Sequence, residues 1–154
     1  MRVYRIAKDT YAQDLSGEGA RLYGGRWNRR GTSMLYAAAN SSLAMLEKLV
    51  HIPVYVFPKD LKIIVLEFPD TMATGRITLE ELPEDWIHRS EHPKVLDIGD
   101  QFVTQANFLC LTVPSAINTM DENILLNPRH PDFSEVKIVD EFPIVFDKRL
   151  LKGV

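Results

Sequence analysis

The first segment of this chain with chemical potential is Gly24-Gly25-Arg26-Trp27-Asn28. Paired glycines let a backbone approach a ligand closely, and a guanidinium can fork onto a phosphate or carboxylate, a combination suited to a pyrophosphate. The same five residues also fit a surface turn with a solvated arginine. Neither Gly-x-Gly-x-x-Gly nor a phosphate loop ending in Lys and Ser or Thr is present, so two familiar nucleotide-binding folds are set aside. Glu47 is the second candidate. With an advance of about 100° per residue and Leu43 at zero, Leu46, Leu49 and Val50 fall at about 300°, 240° and 340°, while Glu47 falls at about 40° and Lys48 at about 140°. Glu47 therefore borders an apolar arc, where partial desolvation strengthens any hydrogen bond it makes to a ligand. A boundary glutamate paired with a nearby base fits the same placement. Tyr36, in an apolar run just before this helix, offers a flat face for stacking and a hydroxyl that needs a partner, or serves simply as core. Ser115, with Asn118 close behind, follows Val113-Pro114 and can donate to a phosphate or ribose, although a turn or capping role uses the same groups. The hydrolase elbow Gly-x-Ser-x-Gly is missing. His51, His88, His92 and His130 show no metal-ligand spacing with one another or with Cys110, so no metal is expected.

The elements that must position these groups follow from hydrophobic periodicity. Residues 3–7 alternate at strand period, residues 14–31 read as a long Gly-, Ser- and Arg-rich loop, and residues 33–39 form a buried strand. Asn40-Ser41-Ser42 supplies caps for a helix reaching about His51. Residues 54–57 and 61–68 read as strands, with Pro58-Lys59-Asp60 suggesting a hairpin between them. Thr78 and Glu81 fit a capping box opening a short helix that Pro83 interrupts or ends. A further helix is expected over 94–107, and strands over 109–113, 123–126, 136–138 and 143–146. With no linker or repeat, residues 1–154 read as one α+β domain with a twisted, largely antiparallel sheet and flanking helices.

Bulk properties narrow the classes further. At 154 residues, one core is enough to bury roughly 70% of the unfolded surface. A composition of 45% hydrophobic and 25% charged residues belongs to an ordered domain. A formal charge of -3 provides no broad cationic face for nucleic acid. One cysteine cannot make an internal disulfide, the first ten residues lack the apolar core of a secretory signal, and no apolar run approaches the roughly 20 residues that span a bilayer. A soluble, cytoplasmic protein with no membrane contact is expected.

Taken in order, the motifs resemble the RES domain, the toxin half of a bacterial toxin–antitoxin pair whose partner is an Xre-type antitoxin. The resemblance runs from Tyr4-Arg5-Ile6 through Gly24-Gly25-Arg26-Trp27-Asn28, Leu35-Tyr36-Ala37, Glu47 with Leu49-Val50-His51, and Leu82-Pro83 with Trp86. It continues through Gly99-Asp100, Val113-Pro114-Ser115-Ala116, and Asn127-Pro128 with His130-Pro131-Asp132-Phe133, to Phe146-Asp147 with Arg149-Leu150. The Arg, Glu and Ser that name the family correspond to Arg26, Glu47 and Ser115.

The resemblance implies a fold related to the ADP-ribosyltransferases and an NAD pocket in which Arg26, Tyr36 and Glu47 take the characteristic polar, tyrosine and glutamate parts. It implies NAD as substrate, consumed by hydrolysis or phosphorolysis, with growth arrest following NAD depletion. Glu47 would stabilise an oxocarbenium-like ribose, Arg26 would neutralise the pyrophosphate, Tyr36 would stack on nicotinamide or its ribose, and Ser115 and Asn118 would add polar contacts. Two rivals remain: a mono-ADP-ribosyltransferase that delivers the ribose to a protein acceptor, and a non-catalytic nucleotide-binding module. A ribonuclease toxin is disfavoured by the acidic balance and the lack of a paired-histidine constellation.

Overall fold

A computed structural model describes residues 1–52, 58, 60–147 and 149. In chain order the main elements are β1 (Arg2–Lys8), α1 (Glu18–Tyr23), β2 (Leu35–Ala38), α2 (Ser41–Leu49), β3 (Leu61–Glu67), β4 (Thr74–Arg76), α3 (Pro93–Gln105), β5 (Cys110–Pro114), β6 (Glu122–Leu126) and β7 (Lys137–Pro143). The strands form one sheet in the order β4-β5-β6-β2-β1-β3-β7, antiparallel throughout except for the parallel β4–β5 pair. An α+β domain with a largely antiparallel sheet is what the periodicities predict.

Because side chains alternate across a strand, each face of the sheet has its own core. Val3, Ala7, Leu35, Ala37, Ile64, Leu66, Ile124 and Leu126 pack on one face. The opposite face carries two separate clusters. One is large: Trp27, Met34 and Trp86 pack with Val95, Phe102 and Val103 of α3 over Leu111, Val113 and Leu125. The other is small, with Leu43 and Ala44 of α2 seated on Ala38 beside Tyr4 and Ile6. The interval between them holds the site.

Several local expectations change. The stretch 14–31 is not all loop, since α1 lies within it; six residues including Gly19 are too few to show a helical period. β4 went unforeseen because Thr-Gly-Arg has no apolar alternation and exists as a strand only by pairing with β5. Of the two tail strands expected at 136–138 and 143–146, the first lies within one longer strand, β7, and the second does not form: β7 ends at Pro143, although the Ile144 N–H still donates to the Leu61 carbonyl at 2.9 Å. Asp140 and Glu141 hid its centre, and an edge strand tolerates such exposed polar residues. The capping box forms, with the Thr78 N–H donating to Glu81 Oε2 at 2.7 Å, but it opens a single 3₁₀ turn, Leu79–Glu81. The helix expected over 94–107 is α3, begun by Pro93 at its first position and ended at Ala106 in a left-handed conformation. The expected strand at 54–57 lies outside the described residues, and so does the hairpin it would form.

Candidate active site

A cavity of about 530 Å³ opens on the two-cluster face, a volume typical of small-molecule sites. Its walls include Gly25, Arg26, Trp27 and Tyr36 on one side, Ala44, Glu47 and Lys48 of α2 on the other, and Asn123 of β6 beneath.

The Arg26 wall is held from behind by dense packing. Gly25 is required for a reason the sequence reading did not give: a Cβ there would lie 2.5 Å from the Tyr36 hydroxyl. The missing side chain makes room for the tyrosine, in addition to any ligand. The Tyr36 hydroxyl accepts from the Trp27 N–H at 3.1 Å and donates to Asn28 Oδ1 at 2.7 Å. Burial pushes its ionisation well above the usual tyrosine range, so it stays a neutral donor. Asn28 is 1% exposed and spends its amide N–H groups on the carbonyls of Ala20, Arg29 and Thr32. Gly99 of α3 meets the Trp27 backbone so closely that a Cβ would fall 1.6 Å from its carbonyl oxygen. The Trp27 and Trp86 rings pack at 6.2 Å between centroids, tilted by 52°.

Arg26 sits at the cavity edge with its guanidinium 5.6 Å from the centre of the Trp86 ring, a cation–π arrangement. Nη1 donates to the carbonyls of Trp86 at 2.6 Å and Arg89 at 3.2 Å. Partial burial lowers its pKa, and the charge of Glu47 across the cavity opposes that shift. The expected fork onto a pyrophosphate therefore starts from a side chain already oriented by the 86–89 loop. Nε has no protein acceptor among the described residues.

Glu47 sits differently on its helix than periodicity suggested. The buried residues of α2 are Leu43 and Ala44, at about 0° and 100° on the helical wheel. Glu47, at about 40°, thus lies in the middle of the sheet-facing side, while Leu46 and Val50 are 43% and 61% exposed. The reversal has a physical cause. The sheet beneath Glu47 presents donors: Ser115 Oγ donates to Glu47 Oε1 at 2.8 Å and Asn123 Nδ2 donates to the same oxygen at 2.5 Å. Oε2 accepts no hydrogen bond among the described residues. Asn40 begins the helix, accepting from the Leu43 N–H at 2.8 Å.

Ser115 is 0% exposed and stands behind Glu47, outside the cavity wall, with its oxygen accepting from the N–H groups of Ile117 and Asn118. Asn118 is also outside the wall, donating to Asp121 Oδ2 at 2.9 Å and closing the turn after β5. The geometry thus gathers Arg26, Tyr36 and Glu47 around one cavity and makes Ser115 a support of Glu47. Sequence reasoning missed Asn123 as a site residue. Its signal was present: it shares a strand face with buried Leu125, and a polar residue on a core-facing position requires a partner. Lys48 was also missed as a cavity residue; burial, then repulsion from Lys8 and Arg5, lowers its pKa. Among the described residues, no cluster of three or more His, Cys, Asp or Glu could hold a metal, and no helix is long and apolar enough to cross a membrane.

The crystal structure of the M. tuberculosis MbcT–MbcA toxin–antitoxin complex contains a chain of the same fold, with a TM-score of 0.71 at 16% identity over 98% of this chain and 86% of that one. The RES domain profile matches residues 2–147, and the chain belongs to the RES domain family. A Sphingobium relative named "Prs ADP-ribosylating toxin" is 35% identical over 97% of this chain and 96% of its own length. A Pseudomonas putida relative named "Toxin Res" is 38% identical over 92% and 95%.

Proposed function

We propose that this protein is the toxin of a toxin–antitoxin pair, acting in the cytoplasm, that binds NAD in the α2–β2 cavity and breaks its nicotinamide–ribose bond. The observation that carries the reading is the state of Glu47 at the cavity wall: one carboxylate oxygen fixed by two donors, the other without a hydrogen-bond partner among the described residues, with Arg26 on the opposite side. Departure of nicotinamide takes the glycosidic electron pair with it and leaves positive charge on the ribose. A carboxylate held in place beforehand stabilises that charge without reorganising when it forms. Water or phosphate then forms the new bond at the anomeric carbon and gives up a proton. Arg26 faces the NAD pyrophosphate through its Nε edge, which has no acceptor among the described residues, and Tyr36 stacks beside the nicotinamide ribose. An Xre-type antitoxin restrains the activity.

The test is incubation of the purified protein with NAD, with and without phosphate, beside Glu47→Gln. That variant keeps an acceptor oxygen for Ser115 and Asn123 but removes the charge. Nicotinamide release by the wild type, reduced about 100-fold or more in the variant at unchanged folding, is the expected result. Phosphate dependence separates phosphorolysis from hydrolysis. Intact NAD with the folded wild type would count against the reading. One observation favours a second outcome at the same cavity: the Sphingobium relative carries the name of an ADP-ribosylating toxin. Labelled ADP-ribose appearing on a protein acceptor, with nicotinamide released only when that acceptor is present, identifies transfer.

A further inference from the structure

We infer that Asn123 is a positioning residue that, together with Ser115, holds Glu47 in one rotamer so that Oε2 alone is offered to the substrate. This rests on the NAD-cleaving reading above. Asn123 sits in the interior of the sheet, paired with Ala38 of β2 on one side and Val113 of β5 on the other, so its backbone has little freedom. Its Cβ points to the face of Leu125, which directs the amide at α2. Ser115 complements it from the turn that follows β5. The serine oxygen already accepts two backbone N–H bonds, so its single proton is aimed at Glu47. Two donors, one on β6 and one just past the end of β5, thus converge on Oε1, and neither reaches Oε2.

The asymmetry matters because a free glutamate on a helix samples several rotamers, and each ordered torsion has an entropic cost at the moment of reaction. Anchoring Oε1 in the folded protein removes that cost from the catalytic step. It also separates the roles of the two donors. Ser115 is buried behind the carboxylate, whereas Asn123 lines the cavity and completes the floor under the substrate.

The experiment measures nicotinamide release by Asn123→Ala and Asn123→Asp from about pH 5 to pH 9, with folding followed by circular dichroism. Asn123→Ala is expected to lower kcat about ten- to a hundredfold, with KM for NAD within about twofold of wild type. Asn123→Asp supplies the readout a structural role would not move. At mildly acidic pH one proton is shared between the two carboxyl groups, the aspartic acid donates to Glu47 as the amide did, and turnover persists. As pH rises through the upper apparent pKa of the pair, that proton leaves and the donor becomes a repelling charge. Activity of Asn123→Asp then falls at a pH where the wild type is flat. If Asn123→Ala fails to fold, the pH profile of Asn123→Asp alone decides. Wild-type kcat in folded Asn123→Ala, a rise in KM at unchanged kcat, or a pH profile of Asn123→Asp parallel to the wild type would each overturn the inference. A folded wild type that leaves NAD intact would instead defeat the activity on which it rests.

Discussion

The two walls of the cavity are stabilised by different physics. The Arg26 wall leans on the large cluster: two tryptophans, the buried side of α3, and a backbone contact at Gly99 too close for any side chain. The Glu47 wall rests on a small cluster of three buried residues, Ala38, Leu43 and Ala44, with the exposed side of α2 carrying Leu46 and Val50. What holds Glu47 in place is a set of polar contacts to the ends of β5 and β6. Close packing resists displacement in every direction, whereas a few hydrogen bonds fix orientation at a net gain of about 1 kcal/mol each. The cavity therefore joins a densely packed wall to a lightly packed one that carries the Glu47 carboxylate. Substitutions in the first are expected to register mainly as lost stability, and in the second mainly as lost turnover.

The sharpest way to break this contrast is Gly99→Ala. A Cβ 1.6 Å from the Trp27 carbonyl oxygen cannot be accommodated by a side-chain adjustment, so α3 and the 24–28 segment must separate. Denaturant unfolding is expected to show a loss of about 3 kcal/mol or more, or no folded protein at all. A loss below about 1 kcal/mol would show the Arg26 wall to be as yielding as the other. Tyr36→Phe comes next. It strands the Trp27 N–H and Asn28 Oδ1 while leaving the ring in place, for an expected loss of about 1–3 kcal/mol. KM for NAD should hold if the ring face does the stacking; a large fall in kcat at unchanged stability would move the hydroxyl into the chemistry.

Much of this division was legible in the sequence, and the illegible parts share a cause. Apolar runs and strand alternation gave β1, β2, β3, β5 and β6, because each buries a stripe long enough to show, and the Asn40-Ser41-Ser42 caps gave α2. Elements that depend on a partner left no pattern: β4 is three residues made a strand by β5, and β7 is a polar edge defined by its pairing with β3. The same holds in the site. Arg26, Tyr36 and Glu47 were recognisable by type and by their neighbours, but the sheet-facing partner of Glu47, Asn123, lies 76 residues away. An apolar arc predicts which side of a helix avoids water; it does not reveal donors on the surface it will meet. Ser115 read as a ligand contact for that reason, since its hydrogen-bond partner comes from α2.

The smallest expected stability change is at Asn40, and it probes the lightly packed wall most directly. Asn40 has two attachments: its Oδ1 caps α2 at the Leu43 N–H, and its Nδ2 donates to Asp121 Oδ1 at 3.1 Å. The other Asp121 oxygen accepts from Asn118, and the Asp121 carbonyl accepts from the Ser115 N–H. One residue thus ties the start of α2 to the turn that aims the serine. Asn40→Ala should cost about 1 kcal/mol, the usual value of an N-cap. With a total stability of about 5–15 kcal/mol, that loss leaves essentially all molecules folded. Any fall in kcat beyond measurement error must then come from movement of α2 relative to Ser115 and Asn123, with no contribution from unfolding. Asn40→Asp separates the two attachments, because it keeps the cap but sets a second carboxylate against Asp121. If polar ties position Glu47, Asn40→Asp should match wild type in helix content yet turn over more slowly. Equal turnover would shift the credit to Leu43 and Ala44, and both walls of the cavity would then be products of packing.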